Sequence, residues 1–581
     1  MFLSHKKKYI TKLLPITFCL LSLVLTSCNL FGGTTPPKKI LVKAPASKQT
    51  YTIPETGITD FDTLDPALVH DSTSTTAVQM MYTGLVQLDD QLEIQPQLAQ
   101  SWSQSSDGLT WTFHLRPNLK FNDGTPLTSA DVAYSIDRAL QPATRSTVAP
   151  LYLGLIRDAD QLLAGRIQTL IGDSIQTPNA NTVTITTRKK AAYFLSMLTM
   201  PCSYVVEQSL IKQYGTGFTD HLTQGGGAGP FKVAQYVHGQ TLSFVPNPYY
   251  YGAKPQLQHV TYVFYPSDDS AYQAYLASHV DTTGVPLSIY ATDKKRKDFY
   301  QIPQLWTNYY TMNYLVKPFD NIHIRAAFAL AIDKQTIADT VWKDTVVPTN
   351  HIVPQGMPGY NPNLIGPDGT QSLTGNATMA QQLLQQGLRE EGWSSVAQMP
   401  AITLTYASGI SSFDQEVASL VQMWQKVLNV PVSTNTLDYN TLLDKITAST
   451  GSQDGLQFWG LAWVGEYPDP QDWLSLQFGQ GVVNNNMNYG QNVGADAAQQ
   501  QATQLALANA DADTKAGTRI QAYQKAEQQL VKDVAWLPME QVTSTFLRSP
   551  LIMGIVDNAQ GMIPPNDWAK IYRLQVELQP Q

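Results

Sequence analysis

The residues between 402 and 432 constrain the fold more than any others. Ile402, Leu404 and Tyr406 alternate with Thr403 and Thr405, the period of a strand with one buried face. Val417, Leu420, Val421, Trp424, Val427 and Leu428 then recur at helical spacing, and Val430-Pro431-Val432 opens a second strand. Strand, helix and strand in that order make the crossover unit of a mostly parallel sheet covered by helices. The chain is therefore read as α/β. Its 581 residues exceed what one hydrophobic core can serve, so two or three domains are expected.

Only 14% of residues are charged, well below the usual quarter, while Tyr (28) and Trp (11) are plentiful. Recognition by stacking and backbone contact suits that balance. A net charge of −8 argues against nucleic acid as a partner. Of the three cysteines, Cys19 lies in an N-terminal leader and Cys28 ends it. Cys202 alone belongs to the body, where it reads as a small buried hydrophobe, so no intrachain disulfide framework is expected.

Residues 1–27 read as a signal peptide: Lys6, Lys7, Lys8 and Lys12 precede an apolar run from Leu13 to Leu25, too short to span a bilayer. The ending Leu25-Thr26-Ser27-Cys28 resembles a bacterial lipobox, in which Cys28 becomes the lipid attachment; the alternative is an ordinary signal peptide with a chance cysteine. Two or more acyl chains anchor stably where one does not. Residues 28–50, with Gly32-Gly33, Pro36-Pro37 and Lys38-Lys39, have the composition of a flexible tether.

The body begins near Tyr51. A helix is expected from Ser74 to Leu88. Asp107-Gly108 marks a hairpin turn, after which Leu109, Trp111, Phe113 and Leu115 alternate with polar residues as a half-buried strand. Thr128 to Asp131 reads as a capping box, and Val132, Ser135, Ile136, Ala139 and Leu140 form one helical face. Gly225 to Gly229 reads as a tight turn, because no Lys-Ser/Thr follows to make a phosphate loop.

The stretch Phe458 to Pro470 is the candidate site. Trp459 and Trp463 end a strand-like run, Glu466 follows, and Pro468 and Pro470 stop regular structure. A carboxylate beside an aromatic wall attracts an ammonium group more strongly than one in water. A solvated or Lys-paired acid at a strand end is the plainer alternative. No HxxxH or HExxH pair and no GxSxG elbow occurs, so neither a zinc site nor a serine nucleophile has support. Asp438, Glu466 and Asp469 offer carboxylates for glycoside hydrolysis only if they meet in space. No catalytic residue, metal or cofactor is assigned, and the chain is not expected to be an enzyme.

The run Pro96 to Leu140, PQLAQSWSQSSDGLTWTFHLRPNLKFNDGTPLTSADVAYSIDRAL, resembles the signature of the family 5 extracellular solute-binding proteins, the oligopeptide and dipeptide receptors of bacterial ABC importers. Gly227-Ala228-Gly229-Pro230-Phe231, Asn247-Pro248-Tyr249-Tyr250, the stretch Phe319 to Asp333, Glu391-Gly392-Trp393 and Ala535-Trp536-Leu537-Pro538 fit in order. The resemblance implies a two-lobe, enlarged type II binding-protein fold with an extra subdomain in lobe I. It gives lobe I as 51–88, 221–308 and a return at 546–581, the extra subdomain as 89–220, and lobe II as 309–545. Crossings between lobes are expected near Trp306–Asn313 and Val542–Ile552.

The resemblance also implies a role for Trp463-Val464-Gly465-Glu466: in peptide-binding members an acid three positions after a Trp meets the α-amino group. Glu466 is then the ammonium anchor. The peptide would add as a strand between the Ala462–Val464 backbone and His70-Asp71-Ser72. Roomy, water-containing pockets would accept varied side chains. Tyr467 and Tyr439 are candidates for lining a side-chain pocket, with core packing the alternative for Tyr439. Gly460 stands where some peptide binders have Arg. The implied partners are a short peptide, a membrane permease and a separate ATPase. The protein would be a monomer, outside the cytoplasm and held to the membrane by lipid. The same fold serving an oligosaccharide or metal chelate, and a cell-surface hydrolase, stay open as alternatives.

Overall fold

The computed structural model describes residues 38–579. The signal peptide and Cys28 lie outside the described residues. The chain's outermost ends, 38–42 and 576–579 among the described residues, form one compact unit and residues 43–575 another. Part of the expected tether is regular structure: Lys38–Lys43 is a strand and Ala46–Lys48 a 3-10 turn. Within the body, the buried Gln49 side chain donates to the Ala44 carbonyl at 2.6 Å and fixes the chain there.

Strand β1 (Thr50–Glu55) and helix α1 (Ser72–Met81) open the body. Helix α1 stops before the expected Leu88. Tyr82 to Val86 are buried, and that apolar run leads into a short strand instead. Then come β2 (Ala99–Gln104), β3 (Thr110–Leu115), helix α2 (Ser129–Leu140), β4 (Ile175–Asn179) and β5 (Thr182–Thr186). They are followed by β6 (Phe231–Val237), β7 (Thr241–Pro246), β8 (His259–Phe264), β9 (Thr282–Gly284), β10 (Phe299–Met312) and β11 (Val346–Pro348). The last are β12 (Ile402–Ala407), helix α3 (Ser411–Leu428), β13 (Val432–Leu437), helix α4 (Tyr439–Ala448), β14 (Phe458–Val464) and β15 (Leu537–Arg548).

These strands build the two-lobe α/β fold. In lobe I, β1, β8, β7 and β6 form one sheet in that order, its core holding Val78, Met81, Phe231, Leu242, Phe244 and Trp568. The extra subdomain is a second sheet, β2-β3-β5-β4. Its hairpin turns at Gly108, where φ is +74°, and Trp111, Phe113 and Leu115 face its core. Thr128 and Asp131 close the capping box of α2. Gly227 and Gly229 answer to close backbone approach: a Cβ at either position would lie 2.2 or 2.5 Å from a carbonyl oxygen of Met81 or Met80.

Lobe II is built on one mixed sheet, β9-β15-β10-β14-β12-β13, with β11 also on β15; β9, the first half of β10 and the end of β15 belong to ranges expected for lobe I, so this sheet runs across the expected boundary. Strands β12 and β13 pair in parallel, with α3 between them in the chain, as the periodicity of 402–432 requires. Strands β10 and β15, 14 and 12 residues long, are antiparallel neighbours. Their register breaks between Pro303 and Thr307. Both begin several residues before the positions expected for the crossings.

The two lobes also exchange side chains. Leu92, near the start of the segment read as the extra subdomain, is buried in a core of lobe II with Trp459, Trp473 and Trp536. Tyr467, from lobe II, is buried in the core of the extra subdomain.

Candidate ligand-binding site

Strand β14 lies between β10 and β12. Its pairing with β10 runs its whole length, from Trp306↔Val464 to Met312↔Phe458. On its other side only Phe458 and Trp459 pair, with Leu404 and Thr405 of β12. Beyond Trp459 that edge has no partner strand among the described residues. Alternate residues of an edge strand present N–H and C=O groups outward, a template for one more strand. A cavity of about 360 Å³ opens along this edge, and Gly460, Ala462 and Val464 form part of its wall with Trp306 and Tyr439. Tyr439 begins α4, which Asp438 caps by accepting from the Thr441 amide.

Glu466 ends this edge. Its backbone amide donates to Asp472 Oδ2 at 3.0 Å, and the Trp463 indole N–H donates to the same oxygen at 3.1 Å. Asp472 thus fixes both members of the Trp-x-x-Glu pattern. It is fully buried, and burial holds its carboxyl pKa well above the usual range, helped by the nearby Glu466 and Asp469 charges. Its Oδ1 has no partner among the described residues. A neutral carboxyl suits that setting, because an uncompensated buried charge is far costlier than a buried acid proton. The Glu466 carboxylate, half-buried, accepts a 2.6 Å hydrogen bond from the Tyr152 hydroxyl of the extra subdomain. Burial and that carboxylate push the Tyr152 pKa far up, so the phenol stays a donor.

The chain after Glu466 is a strap held from both lobes. Asp469 accepts both terminal nitrogens of Arg519 and the Ser196 hydroxyl of the extra subdomain, the latter at 3.2 Å. Both members of the ion pair are buried. Asp469 is therefore a structural anchor and not one of a catalytic carboxylate pair. Tyr467 is also structural. It is 3% exposed, hydrogen-bonds to Gln471, and packs its ring against Tyr193 and Tyr152. It does not line the cavity; its ring is part of the core of the extra subdomain.

The other expected wall is not a strand edge. Asp71 is the N-cap of α1, accepting from the Ser74 amide at 2.7 Å, and Ser72 is the first helical residue. His70 is exposed beside Asp62. Any peptide contact from this segment would come from a helix start. Among the described residues, no three His, Cys, Asp or Glu side chains gather as a metal site. No helix among them is long and apolar enough to cross a membrane. Tyr152 and Asp472 escape a sequence reading. The first is 314 residues from Glu466, and the second acts only once the strap has folded back.

The family model described as bacterial extracellular solute-binding proteins, family 5, matches residues 93–485. The chain belongs to that family. The oligopeptide-binding protein OppA of Bacillus subtilis is 25% identical over 568 residues, 96% of this chain and 98% of that one. The probable deoxycholate-binding periplasmic protein YgiS of Escherichia coli is 26% identical over 502 residues, 85% of this chain and 89% of its own. Among solved structures, the unliganded open form of the murein tripeptide binding protein MppA aligns with a TM-score of 0.78 at 25% identity. That alignment covers 92% of this chain and 99% of MppA.

Proposed function

We propose that this solute-binding protein is the peptide receptor of an ABC importer. The observation that supports it most is the unpaired edge of β14 ending at Glu466, whose backbone is held by Asp472 and whose carboxylate is held by Tyr152. An extended peptide has a polar backbone that must be satisfied once enclosed, and adding it as a strand does this without reading side chains. Its α-amino group would pair with Glu466, and the chain would run back along β14 toward Gly460. OppA, whose name describes oligopeptide binding, supports the same guest.

Lobe closure would follow contact of the guest with both lobes, favoured by its greater affinity for the closed state. The register break between Pro303 and Thr307 is the proposed hinge. Lipid on Cys28 would hold the receptor at the outer face of the cytoplasmic membrane, where a permease and its ATPase take the peptide. No enzymatic step is proposed.

Native mass spectrometry of the purified protein tests this reading. Carried-over peptides support it. A carried-over apolar carboxylate of the kind named for YgiS replaces it with a non-peptide receptor of the same fold.

A further inference from the structure

Resting on the peptide reading, we infer that the cavity along β14 selects guests by a bulky apolar side chain at the third residue and rejects an acidic one there. Four large apolar side chains on its rim are unusually open: Trp306 is 41% exposed, Ile410 48%, Val464 52% and Tyr439 57%. All four line the same cavity, with Tyr406 and Phe413 on its wall. Scattered exposed hydrophobes need no explanation, but four around one cavity mark a surface that a guest covers.

The polar groups point the same way. Glu416 lines the deep end, and both its oxygens are engaged. The Tyr310 hydroxyl donates at 2.9 Å and the Trp342 indole N–H at 2.5 Å. Burial raises its pKa, and with Tyr310 and Trp342 on its two oxygens it turns no open acceptor to a guest. No Lys or Arg is among the residues that line the cavity. Nor can position 460 supply one, because a Cβ on Gly460 would lie 2.6 Å from the Tyr310 ring. An acidic side chain or chain end there would lose water and gain no cationic partner.

The register follows from the anchor. A guest whose α-amino group meets Glu466 runs antiparallel to β14 at about 3.3 Å per residue, which sets its third residue beside Ala462, mid-wall of the cavity. The roomy, indifferent pocket expected from the family resemblance is thereby replaced by a selective one.

Calorimetric titration with hexapeptides Ala-Ala-Xaa-Ala-Ala-Ala tests this, with Xaa as Trp, Leu, Ala or Asp. The tryptophan and leucine peptides should bind about tenfold or more tighter than the alanine peptide. The aspartate peptide should bind more weakly still. Tyr439→Ala and Ile410→Ala should each shrink the ratio of tryptophan to alanine affinity; both side chains are half exposed, and melting curves check that the variants fold. Equal affinity for all four peptides, or an advantage for tryptophan only at another position, overturns the inference and leaves the peptide receptor standing. If none of the four binds, the peptide reading falls and takes the inference with it.

Discussion

The hydroxyl of Tyr152 in the extra subdomain donates to Glu466 Oε2 in lobe II at 2.6 Å, joining residues 314 positions apart. The carboxylate proposed to receive the guest is thus already oriented before any guest arrives. Glu466→Gln keeps the side-chain shape and removes the charge. It should cost about 2–5 kcal/mol of peptide affinity, because a buried ammonium loses its counter-charge. Tyr152→Phe removes one neutral donor and leaves the charge, so it should change affinity by less than about tenfold. Titration calorimetry on both variants with one peptide checks the contrast.

Asp472 accepts from the Trp463 indole and from the Glu466 backbone amide, and burial holds its pKa well above the usual carboxylate range. An amide is close to a neutral carboxyl in shape and keeps an acceptor oxygen. Asp472→Asn should therefore bind peptide nearly as the wild type does. Asp472→Leu strands the Trp463 indole N–H and the Glu466 amide, and should lose tenfold or more in affinity with a shift in tryptophan fluorescence.

The strap depends on the buried pair Asp469–Arg519. Removing one partner of a buried pair leaves an uncompensated charge. Arg519→Met should lower unfolding free energy by about 3–5 kcal/mol in a denaturant titration.

Glu527 gives the stability a pH signature. Its buried Oε1 accepts from the Ile352 and Val353 amides at 3.0 and 2.9 Å, yet burial still pushes its pKa up to about 8. A raised acid binds more protons folded than unfolded, so its stabilisation is complete below its ordinary value of 4.5 and fades as pH rises toward about 8. His351 lies 3.8 Å away, and buried Lys334, held down at about 7, works in the opposite direction above that pH. The comparison with Glu527→Gln isolates the carboxyl. The variant should gain a few kcal/mol over wild type between pH 5 and pH 9, measured by chemical denaturation.

Much of the fold was legible because periodicity is local. The β12–α3–β13 unit, the hairpin at Gly108 and the capping box at Thr128 all follow from spacings of a few residues. The strand carrying Trp459 and Trp463, with Glu466 just past its end, was legible for the same reason. What failed depended on tertiary context. A buried run at 82–86 has no period that separates helix from strand, and α1 ends at Met81 rather than at Leu88. Ile40, Leu41 and Val42 are strand formers whose Pro- and Lys-rich flank disguised them as tether. Tyr467 looked like a pocket residue because it follows the anchor, but the strap carries its ring into another core. Tyr152 has no sequence signal at all, since its role exists only where the two lobes meet.

The account stands or falls on a cationic group beside Glu466. The most direct measurement compares one peptide with a free α-amino group and the same peptide acetylated there, titrated into the wild-type protein. Acetylation keeps the backbone and every side chain but removes the charge. The free peptide should bind about thirtyfold or more tighter, and Glu466→Gln should erase most of that difference. Equal affinity of the two peptides for the wild-type protein would contradict the account.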